Sequence, residues 1–363
     1  MTTDNPHWRL ARTPPSGWPT DGDFDFNTAP AADPGSGQAL ARTLYLSLDP
    51  YQWGRRRSGT EQPGEVCHGR TVSQVVASRS DRFAEGDFIF HTNGWQTFGL
   101  VGDGIGCFNY MYPRTLDPAQ APLSTALGVL GMLGLTAYAG LVVQCAPQAG
   151  ETVVVSAASG GVGQVVGQMA RLLGCRVVGI AGAEHKCTYV RDDLGFDACV
   201  SHQSPDLTGE LRRACPDGID VYFENVGGAV FEAVLPHFRQ GARISLCGMI
   251  SQYGNTDGGD AGAAWRAAGA ATFKRLDMGV HNLFVGNYVD SHQDEFLARM
   301  GDWVRAGEIR YREDLWQGLE RAPEAFSAML GGRNFGKTLV GVTEDPTDDG
   351  DAAQRRAAGN TLG

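Results

Sequence analysis

Val155-Ser-Ala-Ala158-Ser-Gly160-Gly161-Val162-Gly163 decides the fold. The apolar run Thr152-Val-Val-Val155 before it reads as a buried strand. The residues after it, Gly161 to Leu173, read as a helix ended by Gly174. Strand, glycine loop and helix in that order form the dinucleotide-binding fingerprint in the context it requires. The pattern is A-x-G-x-x-G, with Ala158 in the place of the first glycine. Gly160 lets the backbone approach a pyrophosphate, and Gly163 lets the helix pack closely on the strand. The free N–H groups of the helix N-terminus then face the phosphates. Ala158, Gly160, Gly161, Val162 and Gly163 are therefore candidate cofactor contacts.

Outward from this loop the same texture continues. Arg176-Val-Val-Gly-Ile180, Ile219-Asp-Val-Tyr-Phe223 and Ala242-Arg-Ile-Ser-Leu-Cys247 read as further strands separated by helical segments. That alternation implies an α/β domain, a Rossmann doubly wound parallel sheet. The first part of the chain differs. Ala41–Leu48, Thr71–Val76 and Asp87–His91 are short alternating runs between turn residues, the signature of a small β-rich domain. The expected division is a β-rich domain over 1–125, completed by 308–343 and a returning strand at Lys337–Val342. The cofactor domain is expected over 126–307, and a disordered polar tail over 344–363. A helix is expected at 291–306, and the Gly/Ala-rich stretch 254–271 reads as a mobile surface segment.

Composition narrows the function. Among 363 residues there are 50 glycines, about double the usual share. With 42% hydrophobic and 20% charged residues, the chain is not mostly disordered. A net charge of −11, with no basic run longer than Arg55-Arg56-Arg57, excludes nucleic acid and anionic membranes as expected partners. Leu123–Val143 carries no charge, but Gly128, Gly131, Gly134 and Gly140 interrupt it. It reads as a buried helix rather than a membrane span. The eight cysteines are scattered singly, which fits free thiols in a reducing cytoplasm. No signal peptide is read at the start.

The second strand speaks to the kind of nucleotide. NAD enzymes carry an acid at its end for the ribose 2′-hydroxyl. Here Ile180 is followed by Ala181-Gly182-Ala183, with Lys186 one turn on, which favours the 2′-phosphate of NADPH. Glu184 is the counter-evidence, read here as a first-turn acid of the next helix.

Six further stretches carry a resemblance. They are Tyr45-Leu-Ser-Leu-Asp-Pro-Tyr51, Gly131-Met-Leu-Gly-Leu-Thr-Ala-Tyr138 and the Ala157–Gly163 loop. Val221-Tyr-Phe-Glu-Asn-Val-Gly-Gly228, Cys247-Gly-Met-Ile-Ser-Gln-Tyr253 and Gly332-Arg-Asn-Phe-Gly-Lys337 complete the set. From about Trp8 to Val342 the chain resembles the zinc-independent medium-chain dehydrogenase/reductases of the prostaglandin, 2-alkenal and curcumin reductase type. The resemblance implies a GroES-like catalytic domain beside the Rossmann domain, and a homodimer joined through sheet edges. It also implies NADPH-dependent reduction of a carbon–carbon double bond conjugated to a carbonyl, in a small enone or enal. Tyr253 corresponds to the family's hydrogen-bonding and protonating tyrosine, and Tyr51 to a wall of the substrate cleft. Asn225 and Asn334 correspond to cofactor-contacting asparagines, and His202 to a tyrosine near the 2′-phosphate. A histidine there donates to phosphate with a pH dependence that tyrosine lacks. A packing tyrosine, an Asx turn and a solvated lysine remain the alternatives for Tyr253, the asparagines and Lys186.

The residue chemistry agrees. Zinc relatives carry a cysteine near the Asp49-Pro50 position and a Gly-His-Glu motif that aligns with Gly69-Arg70-Thr71. Arginine cannot ligate zinc. His68, beside Cys67, reads as a partly buried histidine. Without a metal, hydride needs an acceptor that is already polarised, and a conjugated enone is one. The chain also departs from the family. Gln52-Trp53 follows Tyr51 where a site arginine is usual, and Trp53 is expected at the substrate cleft. Met132-Leu-Gly134 lacks a proline, and 280–288 is two residues longer. These departures favour a specialised natural-product substrate. The alternatives are quinone reduction on the same scaffold and a cofactor-binding protein without turnover.

Overall fold

The computed structural model describes residues 3–106, 111–256 and 260–348. Cys107, Gly258, Gly259 and the tail from 349 lie outside these residues. The chain divides into two compact units. Among the described residues, one comprises 3–132, Glu313–Asn334 and 338–348; the other comprises Leu133–Arg312 and Phe335–Lys337.

The first unit is β-rich. Its strands are β1 (Asp4–Leu10), β2 (Phe24–Pro30), β3 (Gln38–Ser47), β4 (Thr71–Ser78), β5 (Phe88–His91), β6 (Phe98–Gly102) and β7 (Arg114–Leu116). Helix α1 (Tyr51–Arg57) follows β3 directly after Pro50. Proline suits this start because its fixed φ already matches a helix. Strands β1 and β2 pair in register from Asp4↔Pro30 to Leu10↔Phe24. The core gathers Phe24, Trp53, Trp95 and Phe326 around a fully buried guanidinium. Arg56 lies 4.4 Å from the Trp95 ring and 4.8 Å from that of Phe326, and its Nε donates to Glu61 over 3.1 Å.

The second unit alternates helices and strands. Helix α2 (Met132–Tyr138) leads to β8 (Thr152–Ser156), α3 (Gly163–Leu172), β9 (Arg176–Ala181), α4 (Glu184–Thr188) and β10 (Ala198–Ser201). Then come α5 (Leu207–Ala214), β11 (Ile219–Glu224), α6 (Gly228–Val234), β12 (Phe238–Leu246), α7 (Ala261–Arg275), β13 (Gly279–Asn282) and α8 (Val289–Arg305). The sheet order is β10-β9-β8-β11-β12-β13, and every pair is parallel. This is the doubly wound order expected from the alternation. Every residue of β8 is buried, as both faces of a parallel sheet are covered.

The chain then returns. Strand β14 (Glu313–Gln317), helix α9 (Ala322–Leu330) and β15 (Lys337–Gly341) extend the first sheet in the order β14-β15-β3-β4-β5-β7. Strand β15 pairs antiparallel with β3, with Leu339 opposite Ser47.

Three expectations change. Leu123–Val143 is not one helix. A 3-10 turn at Leu123–Leu127 is followed by a break, and α2 then widens into i→i+5 turns over Ala139–Cys145. The Gly131 N–H bonds back to Gly128, and a Cβ at 131 would lie 2.2 Å from the Ala126 carbonyl, so the chain reverses there. No described helix is long and apolar enough to cross a membrane. The Gly/Ala-rich stretch is largely α7, capped by Asp260, whose carboxylate accepts from the Ala263 N–H. Its alanines favour helix, and Trp265 buries itself against Phe231 with ring centroids 4.4 Å apart. At the start of the tail, Asp345 accepts a hydrogen bond from Tyr45, so the described residues 344–348 are tied to β3.

Candidate active site

The winding direction of the second unit reverses between β8 and β11, and open α/β sheets bind ligands at the carboxyl ends of strands at such a reversal. Ser156 ends β8, and Asn225 follows β11. The Asn225 N–H donates to Ser156 Oγ, and its Nδ2 donates to the Ser156 carbonyl, both over 2.8 Å. The side chain is thus fixed across the reversal point.

The phosphate loop starts from strain. Ala157 has φ +50°, a left-handed conformation unusual for a residue with a Cβ. The Gly160 N–H closes the turn onto the Ala157 carbonyl at 2.9 Å. A Cβ at Gly163 would lie 2.3 Å from that carbonyl, so no other residue lets α3 start this close to β8. Ala158 is tolerated because strand β9 has a glycine facing it. A Cβ on Gly179 would lie 2.9 Å from the Ala158 methyl. Helix α3 has no side-chain cap at Val162; the Gln164 N–H donates to the Gly160 carbonyl and the Val165 N–H to that of Val162. A Cβ at Gly161 would meet Leu133 and lie 3.5 Å from Lys337. Gly160 also bridges to Gly336. The neighbouring Phe335 ring lies between Tyr189, His185 and the guanidinium of Arg312, 4.2 Å away. The loop is therefore a tight glycine turn that holds α3 close against β8.

At the end of β9 three expected residues converge. A Cβ on Gly182 would lie 3.5 Å from His202 Nε2 and 3.9 Å from Lys186 Cδ. Two nitrogen-bearing side chains thus flank a position without a side chain. Glu184 opens the first turn of α4, as expected, and its side chain is exposed.

Tyr253 follows a 3-10 turn at Ile250–Gln252 and is half-buried. Its hydroxyl lies 3.0 Å from where a Gly248 Cβ would be. The loop that carries it is tied to the Asn225 turn. The Ile250 N–H donates to the Asn225 carbonyl and the Ser251 N–H to that of Val226, each over 3.1 Å. Asn225 and Tyr253 thus belong to one hydrogen-bonded loop pair at the ends of β11 and β12.

In the β-rich unit, Tyr51 is half-buried at the start of α1, and its hydroxyl is 2.7 Å from His68 Nε2. Burial and the neighbouring arginines push the His68 imidazole down to about 3, so it is neutral. Arg70 stacks 5.3 Å from the Tyr51 ring centre and pairs with Asp49 at 2.7 Å. Trp53 needs correction. It is 1% exposed, its Nε1 donates to the Gly17 carbonyl, and it packs edge-on to Phe326. An indole inside the core of its own unit does not line a substrate cleft. Gln52 is equally buried, bonded to the Ser47 carbonyl. Asn334 is half-buried in the loop after α9, next in sequence to Phe335. Among the described residues, no group of three or more His, Cys, Asp or Glu could hold a metal ion.

Sequence reading missed Gly179 and Glu224. A glycine within an apolar strand was the available signal for the first. Glu224 sits in the motif around Asn225, yet nothing local showed that its carboxylate is fully buried.

Two family models match the chain, that of the N-terminal domain of oxidoreductase over residues 6–109 and that of zinc-binding dehydrogenase over 161–273. The NADPH-dependent curcumin reductase of Escherichia coli (strain K12) is 41% identical over 350 residues, spanning 94% of this chain and 98% of its own. Prostaglandin reductase 1 of Mus musculus is 38% identical, spanning 89% of this chain and 95% of its own. The crystal structure of CurA from Vibrio vulnificus in complex with NADPH superposes with a TM-score of 0.85 at 41% identity. It covers 94% of this chain and 100% of that one.

Proposed function

This chain belongs to the zinc-independent medium-chain dehydrogenase/reductase family, and from that premise we propose that it reduces the C=C bond of α,β-unsaturated carbonyls with NADPH. One observation carries the mechanism: the Tyr253 hydroxyl is seated over Gly248, in a loop bonded to the Asn225 turn at the reversal point of the sheet.

NADPH, when bound, supplies the hydride that the substrate β-carbon receives. The backbone cradle from Ala157 to Gly163 holds the pyrophosphate against the start of α3. Lys186 and His202, on either side of Gly182, bind the 2′-phosphate. Asn225, fixed to Ser156, would meet the cofactor at the strand ends. As hydride adds to the β-carbon, charge develops on the carbonyl oxygen. Tyr253 donates a hydrogen bond to that oxygen and is the source of the proton for the α-carbon. Tyr51, held by His68 and Arg70 within its own unit, is a candidate substrate contact. Gln52 and Trp53 are core residues and lend no support to a specialised natural-product substrate, so the proposal is for enones and enals as a class. The setting proposed is cytoplasmic, supported by the seven cysteines among the described residues being free thiols. The assembly proposed is a homodimer through β13, which is an edge strand of its sheet.

The test follows absorbance at 340 nm with NADPH or NADH and a panel of enones, alkenals and quinones. Consumption of NADPH with enones or alkenals is expected. No consumption with any acceptor, or turnover with quinones alone, overturns the reading. Lys186→Ala and His202→Ala should raise KM for NADPH with little change for NADH. Equal effects on both nucleotides would overturn the assignment of the 2′-phosphate site.

A further inference from the structure

The best-satisfied buried charge in the second unit has no part in the mechanism above. Glu224, the last residue of β11, is fully buried. Its Oε1 accepts from the N–H groups of Val226 (2.8 Å) and Gly227 (3.0 Å), and from the hydroxyls of Ser156 and Tyr222, each at 3.0 Å. Its Oε2 accepts from Trp265 Nε1 on α7 at 3.2 Å. Five donors converge on a group that has only acceptors when ionised. Burial pushes the carboxyl above the usual carboxylate range, and the bonds from Val226, Gly227, Trp265 and Ser156 pull it back.

These bonds have a direction. They turn the Val226 and Gly227 amides inward and join the end of β8, through Ser156, to the end of β11. They also latch α7 to both. The same Ser156 hydroxyl that donates to Glu224 accepts the Asn225 N–H. We infer that Glu224 is a positioning residue for the cofactor site, holding Asn225 and its turn in place and coupling them to α7 through Trp265. This inference rests on the NADPH-dependent reading above.

The chemistry of the carboxylate gives a specific test. In Glu224→Gln, one amide oxygen can serve the four donors at Oε1, but the amide nitrogen then faces the Trp265 N–H, donor against donor. Trp265→Phe removes that donor and keeps the stacking on Phe231. The variants Glu224→Gln, Trp265→Phe and the double variant are compared with the parent chain in two measurements. The first is amide hydrogen exchange over residues 225–228 without cofactor. The second is NADPH affinity by fluorescence titration, alongside KM for NADPH and for the enone. Glu224→Gln should speed exchange and weaken NADPH binding about tenfold, the scale of one hydrogen bond to a charged group. The enone KM at saturating NADPH should hold. The double variant should recover part of the loss, because the clash is gone. Unchanged exchange and affinity in Glu224→Gln would overturn the inference, as would a double variant worse than both singles. If Glu224→Gln does not fold, Trp265→Phe decides, and unchanged exchange and affinity there would overturn it. A parent chain that binds no NADPH overturns the proposed function, while the exchange measurement still judges Glu224.

Discussion

Arg70 Nη2 donates to Asp49 Oδ2 over 2.7 Å, with both side chains 3% exposed. The Ser47 hydroxyl donates to the same oxygen at 2.6 Å. The family resemblance puts Asp49 near the place of a cysteine ligand in zinc relatives and Arg70 within their Gly-His-Glu motif. A cation and an anion at those positions satisfy one another, and a guanidinium has no lone pair to offer a metal.

Arg70→Ala should therefore destabilise the chain by about 3–5 kcal/mol, because it leaves a buried carboxylate unpaired. Replacing both partners by apolar residues, Arg70→Met with Asp49→Leu, should cost less than the single change. Urea unfolding of the three proteins measures this. A single variant as stable as the parent would show that water reaches Asp49.

The Ala158 methyl and the bare face of Gly179 are complementary. Gly179→Ala should weaken both stability and NADPH binding, since the new methyl meets Ala158 at 2.9 Å and Val190 at 2.8 Å. Adding Ala158→Gly should restore part of the loss, the Val190 contact remaining. Thermal unfolding with and without NADPH measures both effects. No recovery in the double variant would mean that Val190 sets the whole cost.

Tyr253→Phe should slow enone reduction about 10²–10⁴-fold if the hydroxyl is the general acid. NADPH affinity should stay near that of the parent, because the cofactor cradle is built elsewhere. An unchanged rate would assign protonation to water or another group. Gly248→Ala should resemble Tyr253→Phe, since its methyl would press on the hydroxyl.

Acid should destabilise the fold through two histidines. Burial pushes both His68 and His91 down to about 3, the arginines near His68 adding to the effect. The unfolded chain takes up protons near pH 6.5, and the folded chain does not until about pH 3. Between those values the unfolded state binds more protons, so stability falls as pH falls and levels off above the window. Each histidine contributes about 1 kcal/mol per pH unit to the slope. His91→Gln should remove one share, measured as ΔG of unfolding between pH 4 and 7. An unchanged slope would mean that His91 is protonated within the fold.

The sequence by itself determined the order of strands and helices and the place of the phosphate loop. Those features are local: an apolar run, a glycine turn and a helix within twenty residues, repeated with connections long enough for parallel crossovers. The end of the second strand pointed to Gly182 and Lys186, the family resemblance added His202, and the fold brings the three together. It misjudged α7, where alanine and glycine hid one aromatic anchor, and Trp53, where a side-chain type said nothing of direction. The tertiary structure decided which partners meet: Ala158 with Gly179, Arg70 with Asp49, and Glu224 with Trp265, 41 residues away. The physical reason is that backbone conformation follows from neighbours in the chain. Burial and hydrogen-bond satisfaction follow from neighbours in space, and the packing of the sheet brings those together.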